Sequence, residues 1–569
     1  MWNNKRIIIY TIVSLISGMI VFEVGYCNTQ IVNQIIIKEK ITYNFSLCRI
    51  MIYILFITIY IIFKDKFVNT AEETMKNKYK RILSEIVSIL IVLNFVAVIT
   101  YICINNFKYI RIGAVEIITS ILINLFIIYI SNDIIKNVII TSCTFGILFT
   151  FTTDYNHAID EKKHFMTALN ISFLNFDYIN KPITDKKIEE LPQIMNSLEI
   201  DEFLTNDYNA EITHEVNMED TPSTPATYSL ISYVFPAIGI TFARVLNGSI
   251  IDMYICGRIM NLIIYTILIV IAIKIIPYKK NIFFVIAFMP FMLLLASSYS
   301  IDGICLGTVF IFVAYCLKMY KENITIKMKQ LLILGILFLI MLTGKGIAYI
   351  LTATIILILP IYNTIKQNKK YRPMIISSII ILLILAIIFV IYMKNTMVTP
   401  DGDNRGEEGI NGVEQLEYIS KHPVHDLKLI IYQIKVTLFD YEWYIYLYPS
   451  AFFGENSNYV FFIMMLYILY VSITEDDYNF KIKDKVIFLI TFLLVLGMTS
   501  GILYLAFTPV GATYISGYQT RYILPILPLM LFCLSNDMLK NFQKTNRNMN
   551  IALIIGLFLS IGIFQLMIG

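Results

Sequence analysis

An all-α, polytopic membrane bundle of about 15 spans is what the sequence predicts, and three observations carry the prediction. Of its 569 residues 57% are apolar and only 15% charged, an excess of apolar residues over what a soluble core of this length needs. Mean hydropathy is +0.70. Apolar runs of roughly 17 to 24 residues recur along the chain, each long enough to cross a hydrocarbon core of about 30 Å. Runs such as Met374–Tyr392 lack the in/out alternation of a barrel strand, so helices remain as the way to satisfy the backbone in lipid.

Lys5 and Arg6 precede the first run, Ile7–Val24, which exceeds a signal-peptide core and lacks a small-residue cleavage motif; it is expected to stay as a helix. Further spans are expected near 46–63, 83–104, 112–131 and 137–153. Ten more follow near 253–276, 282–298, 303–318, 329–343, 346–361, 374–393, 457–472, 486–506, 521–536 and 550–568. Six basic residues in the loop 64–81 place it, and the N-terminus, in the cytoplasm by the positive-inside rule. The segment 154–228 then falls outside, and its fifteen acidic residues against five lysines set it apart from the cytoplasmic loops. The run Tyr228–Ser249 is apolar enough to cross, but crossing inverts everything after it. Kept on the outer face as an interfacial or re-entrant helix, it leaves 16 basic residues of the later loops inside. A second outer segment, 394–456, opens with the Gly- and acid-rich stretch 401–409 and continues as a helix towards Tyr448. The chain thus divides into a four-helix membrane region, 1–131, and a core, 132–569, that carries extracytoplasmic segments 154–250 and 394–456 and ends outside.

Several classes of function are excluded at this level. A net charge of +4 is too balanced for a nucleic-acid partner. The eight cysteines lie in or beside apolar runs without CxxC spacing, and read as buried thiols. No P-loop, GxGxxG or HExxH motif supports ATP-driven, redox or zinc chemistry. No internal repeat points to a transporter of inverted halves.

The chemistry concentrates at the outer face. In Ala158–Phe176, an apolar helical face (Phe165, Ala168, Leu169, Ile171) follows Asp160, a candidate N-cap. His164 lies four residues from Asp160 and three from Glu161, so carboxylate and imidazole can share a face. Such a carboxylate can serve as general base on a hydroxyl; the plainer reading is a cap and a solvated histidine. Arg258, Asp302, Lys345 and Arg521 fall at membrane edges, where charge is costly. An arginine fork such as Arg521 suits a phosphate, with snorkelling as the alternative. All five histidines lie in the two outer segments, and His422 and His425 can face Asp426. No metal ligand set stands out; a divalent cation, Mg or Mn, is left open.

These residues fall in an order that resembles the bacterial family called domain of unknown function 2142, polytopic proteins similar to the C-type (GT-C) membrane glycosyltransferases. The resemblance runs from about Asn137 onward. It rests on IDEKKHF (Asp160, Glu161, His164, Phe165), TYSLISYVFPAIG (Tyr233, Pro236) and GRIMN (Gly257, Arg258, Asn261). It continues through FMPFMLLLASSYSIDG (Pro290, Ser297, Asp302), TGKGIAY (Lys345), EQLEYISKHP (Gln415, His422, Pro423) and YQTRYILPILP (Gln519, Arg521, Tyr522, Pro525). The chain departs from the family in the four extra spans before the core, and in Thr520, which stands where the family has Gly.

The resemblance implies a polyprenyl-phosphate sugar donor entering from membrane lipid and a glycan or lipid acceptor of the cell envelope, at the outer face of a bacterial plasma membrane. Asp160 or Glu161, with His164, would be catalytic. Arg521, Lys345 and Arg258 would bind the donor phosphate, and Tyr233, Asp302, His422, Gln519 and Tyr522 the substrates. A flippase or polymerase of polyprenyl-linked glycans, or a non-catalytic envelope-assembly protein, is the competing expectation.

Overall fold

The computed structural model describes residues 132–153, 157–176, 230–246, 248, 250–342, 346–367, 369–373, 376, 377, 380, 409–439, 453, 457–475, 478–535 and 547–568. The first four expected spans, most of 374–393, the acidic stretch 401–408 and Lys345 lie outside them. Among the described residues every regular element is helical. Among these residues four helices are long and apolar enough to cross a membrane: Asp252–Ile275, Asp302–Lys321, Ile350–Gln367 and Ile482–Ala506.

The first element, α1 (Ile134–Thr141), is capped by the Asp133 carboxylate and runs through a π-helical stretch (Ser142–Gly146) into α2 (Ile147–Thr152). After the turn at 157–160 comes α3 (Glu161–Ser172). A 3-10 turn (Leu230–Tyr233) leads into α4 (Val234–Val245), which reverses into α5 (Ile250–Ile275). At Gly239 the two backbones approach so closely that a Cβ would lie 2.3 Å from the Cys256 carbonyl oxygen, so only glycine fits there. Helices α3 and α4 and the first turns of α5 share a small core of their own, with Phe165, Leu169, Tyr233, Ile240, Tyr254 and Tyr299 inside it. The expected interfacial helix at 228–249 is therefore a packed layer against α3 and α5. Its outer face, Val234, Ile238, Phe242 and Val245, remains exposed, an apolar stripe at helical spacing that suits lipid.

The expected span 282–298 is broken in two, α6 (Lys280–Ala287) and α7 (Pro290–Ala296). Pro290 has no N–H to donate and its ring disfavours a helical residue before it, so it begins a helix rather than continuing one. Next are α8 (Asp302–Lys321), α9 (Met328–Leu342), a 3-10 turn (Gly346–Tyr349), α10 (Ile350–Ile356) and α11 (Ile358–Gln367). A hairpin of α12 (Gly412–Lys421) and α13 (Pro423–Phe439) precedes α14 (Ser457–Thr474) and α15 (Ile482–Ala506). The expected span 521–536 becomes a 3-10 turn (Thr520–Tyr522) and a short α16 (Leu527–Cys533), because Pro525 interrupts the helix and Pro528 is accepted only in the first turn of a new one, where no N–H is needed. The last helix is α17 (Arg547–Ile568).

The two ends of this bundle differ in chemistry. At one end the turns carry lysines, amides and arginine: Lys321 donates to the Pro277 carbonyl at 3.1 Å and Lys485 to that of Ser535. Arg547 reaches the Thr474 carbonyl at 2.6 Å, and Asn281 bridges Glu475 and Asn548. The opposite end gathers the C-terminus of α2, the starts of α3 and α8, and the turn before α16. Helix α13 starts at that end and descends beside α15, with Asp426 at Tyr504 and Ile430 and Ile434 against Gly497. Part of the expected outer segment 394–456 thus packs along a membrane-length helix.

Candidate active site at one end of the bundle

Arg258 dominates this end. It lies on the third turn of α5, is 1% exposed, and uses all five of its N–H donors. Nε donates to Glu161 Oε1 at 2.8 Å and Nη2 to Oε2 at 3.0 Å, a two-pronged pair. Nη1 donates to the Thr150 and Thr153 carbonyls at 3.0 and 2.7 Å, closing the C-terminus of α2, and Nη2 also reaches Tyr254 Oη at 2.9 Å. The Tyr254 ring sits under the guanidinium, 4.5 Å from its centroid. No N–H remains for a phosphate. The assignment of Arg258 to the donor phosphate is therefore corrected: a buried arginine here neutralises Glu161 and ties α2, α3 and α5 together.

Glu161 is equally committed. It is fully buried, and besides the arginine it accepts from Tyr299 N at 3.0 Å and Ala158 N at 3.4 Å. Both of its oxygens are thus held within the protein rather than presented to an acceptor hydroxyl. Asp160, one residue earlier, is only partly buried. It occupies the N-cap position of α3 but in the left-handed region (φ 59°, ψ 19°), and its side chain makes no capping bond. The expected Asp160 cap is thus absent: capping oxygens come from an extended backbone, which the left-handed turn does not provide. That turn instead directs Glu161 into the bundle.

His164 has a buried partner on another element. Its Nδ1 shares a 2.6 Å hydrogen bond with Tyr233 Oη, both side chains buried, with the rings tilted at 5.7 Å. Two residues assigned separately, one to catalysis and one to substrate, are brought into direct contact.

A second buried ion pair lies across the loop between α7 and α8. Arg521 Nη1 meets Asp302 Oδ2 at 3.0 Å, and Ser300 Oγ donates to the same oxygen at 3.0 Å. The loop joins the two pairs through consecutive residues, because Tyr299 holds Glu161 while Ser300 holds Asp302. Asn261 fixes the loop by donating to the Ser298 and Ser300 carbonyls at 2.7 and 3.0 Å. Tyr522 lies beside Arg521, its ring centroid 5.5 Å from the guanidinium carbon, and its carbonyl accepts from Tyr349 Oη at 2.9 Å. Gln519, two residues before Arg521, has a buried Oε1 without a hydrogen-bond partner among the described residues.

His422 stands apart from these pairs, at the bend between α12 and α13, where Nδ1 bonds the Tyr418 carbonyl at 3.1 Å. His425 does face Asp426, with Nδ1 3.2 Å from Oδ1. Among the described residues no group of three or more His, Cys, Asp or Glu is placed to hold a metal; at the ion pairs each carboxylate is already met by an arginine. The cysteines described, 143, 256, 305, 316 and 533, are buried or half-buried. Tyr254, Tyr299, Ser300 and Tyr349 entered none of the sequence assignments. The one signal for Tyr254 is its position four residues before Arg258 on the same helix.

Gly257 gives the site a steric test. A Cβ there would lie 1.8 Å from Tyr299 Oη, so the ring must leave. Because Tyr299 N holds Glu161, Gly257→Ala is expected to cost about 1–3 kcal/mol of stability, typical of overpacking, and to loosen the arginine pair. Thermal unfolding of the purified protein in detergent checks it; an unchanged melting temperature would contradict it.

Fold and site together define a polytopic helical membrane protein with two linked, buried arginine–carboxylate pairs at one end of the bundle. Residues 143–530 match the family described as Predicted membrane protein (DUF2142), and the chain belongs to it. No curated protein and no solved structure matches the chain.

Proposed function

We propose that the protein is an inverting glycosyltransferase of the bacterial plasma membrane, moving a sugar from a polyprenyl-phosphate donor to a glycan or lipid acceptor at the extracytoplasmic face. The observation that carries this reading is the convergence at one end of the bundle of an arginine suited to phosphate, Arg521, and the acid-bearing turn of Asp160, linked through Tyr299 and Ser300. The lysine-rich turns at the other end favour the cytoplasm, which puts this end outside.

In this mechanism Asp160 is the base. Its carboxylate takes the acceptor hydroxyl proton, the oxygen attacks the anomeric carbon, and the bond from that carbon to the phosphate oxygen breaks. The charge that develops on the departing phosphate is met by the Arg521 guanidinium, whose planar fork can serve a carboxylate on one edge and a phosphate on another. Lys345, which lies outside the described residues, is the second cation proposed for the phosphate. Tyr522 and Gln519 border the donor, and the His164–Tyr233 pair holds the start of α3 against α4. Glu161 and Arg258 position the Asp160 turn and do not touch substrate.

The test is transfer of radiolabelled sugar from a panel of polyprenyl-phosphate sugars in proteoliposomes. The proposal expects transfer from at least one donor to an acceptor on the outer side. Movement of donors across the bilayer without transfer would replace it with a flippase.

A further inference from the structure

We infer that the α12–α13 hairpin holds a second binding site, between Gln415, Asp426 and Tyr504, that takes hydroxyl groups of a saccharide. Gln415 is fully buried and Asp426 only 4% exposed, although both lie on a hairpin whose surface carries Glu414, Glu417 and Lys421 in solvent. Buried polar side chains on a short hairpin are costly and need a reason.

Each of the two is half engaged. Gln415 Oε1 accepts from Gly511 N at 2.9 Å. Asp426 Oδ1 faces the Tyr504 hydroxyl and His425 Nδ1, each at 3.2 Å. Tyr504 has one proton and offers it to both Asp426 Oδ1 and the Ala512 carbonyl, again at 3.2 Å, while the Gln415 side chain also borders its hydroxyl. What remains is an amide donor, Gln415 Nε2, and a carboxylate acceptor, Asp426 Oδ2. Both are sealed from solvent and have no hydrogen-bond partner among the described residues.

The chemistry of that pair selects its ligand. A cation suits the carboxylate and meets a donor at the amide; a phosphate suits the amide and is repelled by the carboxylate. Hydroxyls satisfy both, accepting from the amide and donating to the carboxylate, and neighbouring hydroxyls of a sugar ring present that combination repeatedly. An aromatic wall stands beside the pair. Tyr418 packs on Gly511, where a Cβ would lie 3.0 Å from Cε2, and its ring lies 4.4 Å from that of His422. Such a ring offers a flat apolar face to the C–H side of a sugar. His425, with 44% of its side chain exposed, lies beside Asp426 on the solvent side.

The inference rests on the transferase reading only in calling this saccharide the acceptor. It is tested on the full-length protein in a detergent without a sugar headgroup, by calorimetric titration with the free disaccharides cellobiose, chitobiose and maltose. At least one is expected to bind. Asp426→Asn and Gln415→Leu are each expected to weaken it at least about tenfold at an unchanged melting temperature, and to raise the acceptor KM without changing kcat. Tyr504→Phe, which keeps the ring, serves if either of those fails to fold, with the same weakening expected. Absence of binding by the wild type, which would leave only a buried water in the site, overturns the inference, and so does equal binding by all variants. Wild-type binding that depends on Asp426, in a protein that transfers no sugar, upholds the saccharide site and removes only the transferase reading.

Discussion

Arg258→Met is expected to destabilise the protein by about 3–5 kcal/mol, the cost of leaving a buried charge without its partner. Methionine replaces the stem but leaves Glu161 fully buried, with two of its four bonds gone and only backbone N–H groups around it. The Thr150 and Thr153 carbonyls also lose their donor, so the C-terminus of α2 opens at the same point. Adding Glu161→Gln removes the orphaned charge, and the double variant is expected to be more stable than Arg258→Met alone. The check is a double-mutant cycle by denaturant or thermal unfolding in detergent. Effects that simply add would show that the pair is not a coupled unit.

Arg521→Gln is expected to reduce sugar transfer about 10²–10³-fold, the usual loss when one donor to a developing negative charge is removed, with the fold retained. Here Asp302 keeps Ser300 Oγ as a donor, so less of the packing depends on the cation. Arg521→Lys preserves the charge but not the fork, and is expected to fall between the two. The double variant Asp302→Asn/Arg521→Gln removes the ion pair without leaving a lone charge. It is expected to match wild-type stability more closely than Arg521→Gln and to remain as inactive. Recovery of transfer in that double variant would assign Arg521 to packing alone.

The contrast between the two arginines shows what the sequence could reveal. Both read as membrane-edge cations, and apolar flanks gave no means of telling them apart. What separates them is the partner supplied from far along the chain: Glu161, 97 residues before Arg258, and Asp302, well before Arg521. Helix existence was legible, since apolar runs of span length gave elements near 137–153, 253–276, 303–318, 329–343, 457–472, 486–506 and 550–568. Helix continuity was less so. The runs at 282–298 and 521–536 are uniformly apolar, and hydropathy outweighed the prolines at 290, 525 and 528, although backbone geometry gives those prolines the final say. The bond of His164 to Tyr233 was invisible because helical spacing ranks neighbours on one helix only, and here the partner comes from another.

The left-handed turn at Asp160 was likewise beyond reach, and the proposed base stands on it. A non-glycine residue held at φ 59° directly before a buried ion pair is a position where geometry has been fixed against local preference. Sugar transfer in proteoliposomes by Asp160→Gly and Asp160→Asn, beside the wild type, is the direct measurement. Glycine adopts that backbone without strain, so Asp160→Gly is expected to melt at or above the wild-type temperature and, like Asp160→Asn, to lose transfer by about 10²–10⁴-fold while still binding donor. Transfer at the wild-type rate in both variants would contradict the assignment of Asp160 as the base.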